Sequence, residues 1–252
     1  MNKQVYTNFW KKIGATHPYF GVLTHPEYRV DELDAETKAA FFHTGKKTID
    51  RTAKMFNTKW PQKGFNPVHA LDFGCGAGRL SLALSPYCQQ VTGVDVSAAM
   101  LAEATKNGAD QQCANVRFEL IPDRAPFLTQ QYDYVQAHLV FQHIPPANGL
   151  LLLDHLLSHL AAGGFAYFQL TYNNLSSPRN KFRQYISFTY PVITRFLLGQ
   201  KDYAFPMFDY DLNAVFALFQ RHGIGSVHQR FGISGKHQFV NLYAKKKPAP
   251  QP

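Results

Sequence analysis

The stretch Val68-His69-Ala70-Leu71-Asp72-Phe73-Gly74-Cys75-Gly76-Ala77-Gly78-Arg79-Leu80 decides the fold. Its opening residues, 68 to 72, read as a short buried strand. Gly74, Gly76 and Gly78 follow, and glycine lets a backbone turn sharply and approach a ligand with no Cβ in the way. A helix starting after them would point its free N–H groups back at that ligand. A second strand, Val91-Thr92-Gly93-Val94-Asp95, ends in an acid 19 positions after Gly76. A carboxylate at that place in a βαβ unit accepts hydrogen bonds from ribose hydroxyls. A βα turn with glycines for packing alone is the other way to read the loop.

The glycines are spaced G-x-G-x-G, whereas nicotinamide sites use G-x-G-x-x-G. With Asp72 in front, the run resembles the first motif of the class I S-adenosylmethionine-dependent methyltransferases. Val94-Asp95-Val96-Ser97-Ala98-Ala99-Met100-Leu101 resembles the second motif. Tyr132-Asp133-Tyr134-Val135 through Gln142-His143-Ile144-Pro145-Pro146 resembles the fourth. The resemblance covers residues 68–172 and is expected to continue to 244.

It implies a Rossmann-like α/β fold: a mostly parallel seven-stranded sheet with helices on both faces and an antiparallel last strand. An N-terminal helical extension (1–67) would lie over the cofactor cleft. The core would occupy 68–172, a cap insertion 173–208, the rest of the core 209–244, and a disordered tail 245–252. The implied cofactor is S-adenosyl-L-methionine. By the same resemblance, Gly74, Gly76 and Gly78 line its methionine and ribose parts. Asp72 reaches the methionine amine, directly or through water. Asp95 holds the ribose hydroxyls, and Val96 packs on adenine. Ile121 and Asp123 lie near the adenine amino group, in a loop that departs from the family's small-residue-plus-Asp pattern. Ala137 and His138 sit beside the methionine end.

Read in order, the chain alternates strands and helices, the signature of a parallel sheet covered on both faces. Strands are expected at 68–72, 91–95, 115–120, 132–139, 165–172, 227–233 and 238–244. Asp34 is a fitting cap for a helix whose face carries Phe42, Gly45, Ile49, Ala53 and Phe56. Gly45 inside it costs about 1 kcal/mol relative to alanine and implies a close neighbour. Ser97 caps a second helix. Pro145-Pro146 starts a third, with Leu150, Leu153, Leu157 and Leu160 as its buried stripe and Gly163-Gly164 as its stop. Asp211 caps a fourth. Right-handed crossovers would place Asp72 and Asp95 along one rim.

A net charge of +9 over 252 residues favours anionic partners: a phosphorylated or acidic substrate, nucleic acid, or a membrane surface. Plain solubility explains scattered charges equally well. Hydrophobic content of 45% with 17% charged residues is globular. Cys75, Cys88 and Cys113 lack paired spacing, which argues against a disulfide framework and a zinc knuckle. No apolar run is long enough to span a bilayer, and the first residues have no signal-peptide core, so a cytoplasmic location is expected. The oligomeric state is left open.

Within 173–208, Arg179, Lys181, Arg183, Arg195 and Lys201 alternate with Phe182, Tyr185, Phe188, Tyr190, Phe196 and Tyr203. Such interleaving suits an anionic or ring-bearing acceptor or a membrane surface, or else aromatics packed on the core beneath solvated cations. Candidate acceptor contacts are Tyr19, His25, Tyr172, Arg179, Arg183 and Tyr190, with His43 a further possibility. His143 is the candidate for deprotonating or positioning the acceptor, since a neutral imidazole suits that work; capping its helix is the competing role. His155 and His159 are expected on the solvated side, opposite the leucines, and no metal site is expected, there being no H-E-x-x-H pattern. A sulfonium carries its methyl as a ready electrophile, and alignment alone supplies on the order of 7 kcal/mol or more. A base is therefore optional.

The implied reaction is methyl transfer to O or N of a small-molecule or glycan-linked acceptor, with no obligatory nucleic acid. An RNA or protein methyltransferase fits the charge, but no recognition module is appended. A nicotinamide oxidoreductase would need its own catalytic group, and the only Tyr-x-x-x-Lys lies at Tyr243–Lys247. A non-enzymatic nucleotide-binding protein of this fold would leave Asp72, the glycine loop and Asp95 unexplained.

Overall fold

The computed structural model of the chain describes residues 3–30, 32–122, 128–176 and 207–249. Three helices lead: α1 (Lys3–Thr16), α2 (Pro18–Val22) and α3 (Ala35–Lys59). The core continues as β1 (His69–Phe73), α4 (Arg79–Leu84), β2 (Gln90–Asp95), α5 (Ala98–Asp110), β3 (Val116–Leu120), β4 (Tyr132–Ala137), α6 (Pro146–Ser158) and β5 (Leu160–Asn174). It closes with α7 (Leu212–Arg221), β6 (Ile224–Ser234) and β7 (His237–Lys246).

The seven strands form one sheet in the order β3-β2-β1-β4-β5-β7-β6. The first five strands in that order run parallel; β7 lies antiparallel to both β5 and β6. This is the Rossmann-like sheet with an antiparallel last strand. Alternation along the strands divides two cores. On one face Phe56 of α3 stacks on Phe65 at 5.3 Å and packs against Tyr134, Phe165 and Tyr243. On the other, Leu153, Leu156 and Leu157 of α6 and Phe219 of α7 cover Leu71, Val135, Phe168 and Leu242.

Local chemistry starts the helices where expected. Asp34 Oδ1 accepts from Thr37 N–H at 2.7 Å, Ser97 Oγ from Met100 N–H, and Asp211 Oδ1 from Asn213 N–H. Gly45 has the close neighbour its position implied: a Cβ there would collide with the Arg79 carbonyl, so α3 packs tightly on α4.

Among the boundaries that differ, three have a clear physical cause. Helix α6 stops at Ser158, because Leu160 already pairs with Tyr132. Gly163 and Gly164 therefore lie inside β5, and Leu160 belongs to the strand, not the helix stripe. β5 also runs on to Asn174, two residues past its expected end. β7 extends through Lys245 and Lys246, and Lys247 N–H donates to Gly223 O at 2.9 Å, so the expected tail begins as strand. No helix among the described residues is long and apolar enough to cross a membrane.

Candidate functional site

Where β1, β2 and β4 end, the chain leaves the sheet on one rim, and a cavity of about 610 Å³ opens there. That is the size range of small-ligand sites. Gly74 and Gly76 form its floor with left-handed φ values of 72° and 52°. Gly74 N–H and Cys75 N–H both donate to Val94 O, which clamps the loop onto β2. A Cβ on Gly76 would reach within 2.5 Å of Val22, and one on Gly74 within 2.5 Å of Val140. Val22 and Val140 thus already stand where those side chains would go.

Asp95 lines the cavity at the tip of β2. Its Oδ2 accepts from Gly76 N–H at 3.0 Å and its Oδ1 from Ser97 N–H at 2.9 Å. Each carboxylate oxygen has a further lone pair. Burial raises its pKa, and the backbone donors oppose that rise. Val96, Ile121 and Pro122 stand beside it.

Asp72 and Gly78 do not line the cavity. Asp72 is 2% exposed, with Oδ2 accepting from Ser81 Oγ at 2.6 Å and Oδ1 from Gln136 Nε2 at 2.9 Å. Burial pushes its carboxyl up to about 6, against the pull of those donors and of Arg79. Asp72 thus sits behind the cavity and braces β1 against α4 and β4. Gly78 faces Phe118 and Ala104 and starts α4 with φ 86°. Ala137 is also buried behind the cavity, whereas His138 lines it.

Arg79 was visible in the sequence but not assigned a role. It lines the cavity yet is 4% exposed, and its Nη1 donates to Thr44 Oγ1 at 3.2 Å. Its Nε has no hydrogen-bond partner among the described residues. Burial lowers its pKa to about 10, so it stays cationic at neutral pH. A buried guanidinium with an unused donor suits an anionic ligand group.

The opposite wall comes from helices. Thr7 and Trp10 of α1, and Gly21 and Val22 of α2, face it, as does Met100 of α5. The turn after β4 adds Leu139, held at φ 61°, Val140 and His143. The His143 ring lies 5.0 Å from Trp10, and its Nε2 is 3.0 Å from Gln142 Nε2. Asn148, Leu151, Leu152 and His155 form one face of α6 toward the cavity. His155 is thus corrected from solvated to cavity-lining; its pKa is lowered by burial and by His159. The helical spacing 148–151–152–155 was the available signal for this face.

Four candidate acceptor contacts lie elsewhere. Tyr19 is buried against Phe41, and its hydroxyl lies 2.5 Å from Glu103 Oε1 and 3.0 Å from Asn107 Oδ1, both on α5. His25 is exposed beside Glu27, and His43 is exposed on α3. Tyr172 packs edge-on against Phe231, 5.7 Å away on the sheet. Asp123, Arg179, Arg183 and Tyr190 lie outside the described residues. Among the described residues, no three His, Cys, Asp or Glu side chains cluster as a metal site.

Residues 71–166 match the family model described as a methyltransferase domain. A ubiquinone biosynthesis O-methyltransferase of Coxiella burnetii is 30% identical over 112 residues. That match covers 43% of this chain and 46% of the relative, so the chain spans about half the length of the curated relative. Among solved structures, magnesium protoporphyrin IX methyltransferase from Synechocystis with bound S-adenosylhomocysteine superposes with a TM-score of 0.64. Identity is 16%, covering 98% of this chain and 100% of the other. The N-methyltransferase NodS from Bradyrhizobium japonicum, also with S-adenosylhomocysteine, gives 0.59 at 13% identity, covering 96% and 98%. Residues 71–166 thus match a methyltransferase domain, and the chain shares the fold of these methyltransferase structures.

Proposed function

We propose that this chain transfers a methyl group from S-adenosyl-L-methionine to an oxygen or nitrogen of a small, ring-bearing or anionic acceptor. The observation that carries the reading is one cavity with two unlike walls. The strand-end wall offers a glycine floor, a rim carboxylate and a buried guanidinium; the helical wall offers Trp10 and two imidazoles. The cofactor fits the first wall on this structure's own terms. The loop turns at Gly76 with no room for a Cβ beside Val22, and among the described residues Arg79 Nε has no hydrogen-bond partner, which a carboxylate would supply.

In this reading Asp95 holds the ribose hydroxyls with its remaining lone pairs. Val96, Ile121 and Pro122 enclose the adenine. Arg79 takes the carboxylate of the methionine end. When bound, the cofactor supplies a sulfonium-activated methyl group. The chain's own part is to orient the acceptor, exclude water and move one proton. Trp10, Leu151 and Leu152 give an apolar bed for a ring. Gln142 Nε2 is a donor, so His143 Nε2 is the acceptor in their pair and carries no proton; exchanging Gln142 for an acceptor hydroxyl places a base on it.

Acceptor chemistry follows from the bed. Among the similar proteins, one is named for ubiquinone biosynthesis and one for magnesium protoporphyrin IX, and a phenolic or carboxylated ring matches Trp10 with its imidazole neighbours and the chain's positive charge. Calorimetry with S-adenosylmethionine, S-adenosylhomocysteine and NADH is the first test. Micromolar binding of the first two alone is expected. Mass-spectrometric detection of a 14-dalton gain (about one CH₂) across a panel of phenolic and carboxylated rings then identifies the acceptor class. Binding of NADH alone, or of no nucleotide, would overturn the reading.

A further inference from the structure

One face of β7 and β6 is left open beyond α3. In their ladder Lys245 pairs with Ser226, Tyr243 with His228 and Asn241 with Arg230, and directly opposite residues share a face. Tyr243 meets Phe56 at 5.7 Å, so this is the α3 side. The other side lies under Val215 and Phe219 of α7. On the α3 side burial ends at Tyr243. Ser226 and Arg230 are exposed, and His228 is half-buried with its ring 6.2 Å from Tyr243. Exposed Lys59, at the end of α3, borders the same face: burial lowers the His228 pKa, and Lys59 and Arg230 lower it further. At the lower end, Nζ of Lys63 lies 5.3 Å and Nζ of Lys245 5.9 Å from the centre of the Phe165 ring. Lys63 also donates to Gly163 O, which leaves it further N–H groups. Cations from two distant segments thus face one another across a trough.

Neither segment carries a carboxylate. Residues 51–71 and 212–252 contain no Asp or Glu. Elsewhere cations are paired: Lys38 with Asp110, Lys46 with Asp50, Arg117 with Glu119 and Arg221 with Asp154. Lys59, Lys63, Arg230 and Lys245 form no ion pair with a described residue. Burial lowers the Lys63 pKa, Asp133 opposes that and Lys245 adds to it. Asp133 is itself engaged, accepting from His69 N–H at 3.0 Å. Like charges gathered without counter-charges attract a polyanion. The exposed apolar residues of β6, Phe231 and Ile233, alternate onto the opposite face, so the trough presents cations and amides rather than a wedge for lipid. We propose that this open face of α3, β7 and β6 binds the phosphate backbone of a single-stranded nucleic acid, with Lys59, Lys63, Arg230 and Lys245 on phosphates and the His228 ring beside a base. None of these residues lines the cavity. The surface is a second site, and it stands or falls apart from the methyl-transfer reading.

Fluorescence anisotropy of the full chain with labelled oligo(U) and oligo(dT) tests this. Micromolar binding of either polymer is expected, and the tighter one names the source. Four neutralised phosphates predict an affinity about 50-fold lower at about 200 mM salt than at about 50 mM. Lys59→Gln combined with Arg230→Gln removes two of the four contacts. That variant should bind at least about tenfold more weakly and show about half the salt slope. Lys12→Gln combined with Lys106→Gln makes the same change in net charge on exposed positions of α1 and α5, and should bind as wild type does. Unchanged urea midpoints in both variants separate lost contacts from lost folding. Equal weakening in the two double variants would reduce the effect to overall charge and overturn the proposal. Absence of oligonucleotide binding by wild type would overturn it as well. Polyglutamate displacing the oligonucleotide at matched charge would assign the face to an acidic protein. Flotation with phosphatidylglycerol vesicles, in a protein that ignores oligonucleotides, would assign it to a membrane. Either result also overturns the nucleic-acid assignment.

Discussion

The cavity's strand-end wall and its helical wall are held by different forces. Backbone hydrogen bonds fix the first: Gly74 and Cys75 to Val94, and Asp95 to Gly76 and Ser97. Every contact there joins residues in adjacent strands or the turns that follow them. Side-chain packing assembles the second: Trp10 against His143, and α2 on α5, where a Cβ on Gly21 would strike Met100. Its contributors come from α1, α2 and α6, more than a hundred residues apart in sequence. The difference teaches where each property resides. A ligand shared by many proteins is met by a wall that sheet geometry dictates, and the particular acceptor by a wall that packing can vary.

The sharpest way to break this division is at Asp95. Asp95→Asn keeps one acceptor oxygen but loses the charge; S-adenosylmethionine affinity should fall about 100-fold, or ~3 kcal/mol, for two charged hydrogen bonds weakened. Calorimetry showing unchanged affinity would remove Asp95 from the ribose.

Asp72 tests the same wall from behind. Its carboxyl is raised from 3.8 to about 6 in the folded protein, so near pH 5 the native state keeps a proton that the unfolded chain has released. This group's contribution to stability is complete below about pH 4 and is lost as pH rises through about 6, roughly 2–3 kcal/mol in all. Asp72→Asn should therefore gain on wild type between pH 4 and pH 8 in urea denaturation. A difference that does not vary with pH would mean a solvated Asp72, on the cavity side after all.

On the helical wall, Trp10→Ala should cost about 2 kcal/mol in kcat/KM for the acceptor and leave cofactor affinity intact. A matching loss of cofactor affinity would show that one wall serves both ligands. The smallest effect is expected at the seam. Gly76→Ala meets Cγ2 of Val22, which must shift, and costs about 1 kcal/mol for its positive φ. Cofactor affinity should drop a few-fold, and Val22→Ala in the same chain should restore part of it.

Much of the sheet was legible, because strands alternate and glycine, proline and capping residues punctuate the chain in recognisable ways. Ser97, Asp34 and Asp211 each cap the helix they precede. The end of α6 was not legible. Gly163-Gly164 is a strong local stop, but the pairing of Leu160 with Tyr132 takes the chain into β5 earlier. A ladder partner 28 positions away does not register in local propensity. In the site, Gly74, Gly76, Asp95, Val96, Ile121, His138 and His143 were named from the motifs and line the cavity. Asp72, Gly78 and Ala137 were named from the same motifs and lie behind it, since neighbours in a strand point to opposite faces and a loop turns some of its glycines inward.

The sequence by itself determined the order of strands and helices, the glycine turn and the carboxylate at the tip of β2. These rest on short-range chemistry: periodicity, capping and the freedom of glycine. Only the tertiary structure decided which helices close the cavity, and that Tyr19 and Tyr172 pack elsewhere while Trp10 and His155 face inward. Those facts depend on which side chains meet across long separations.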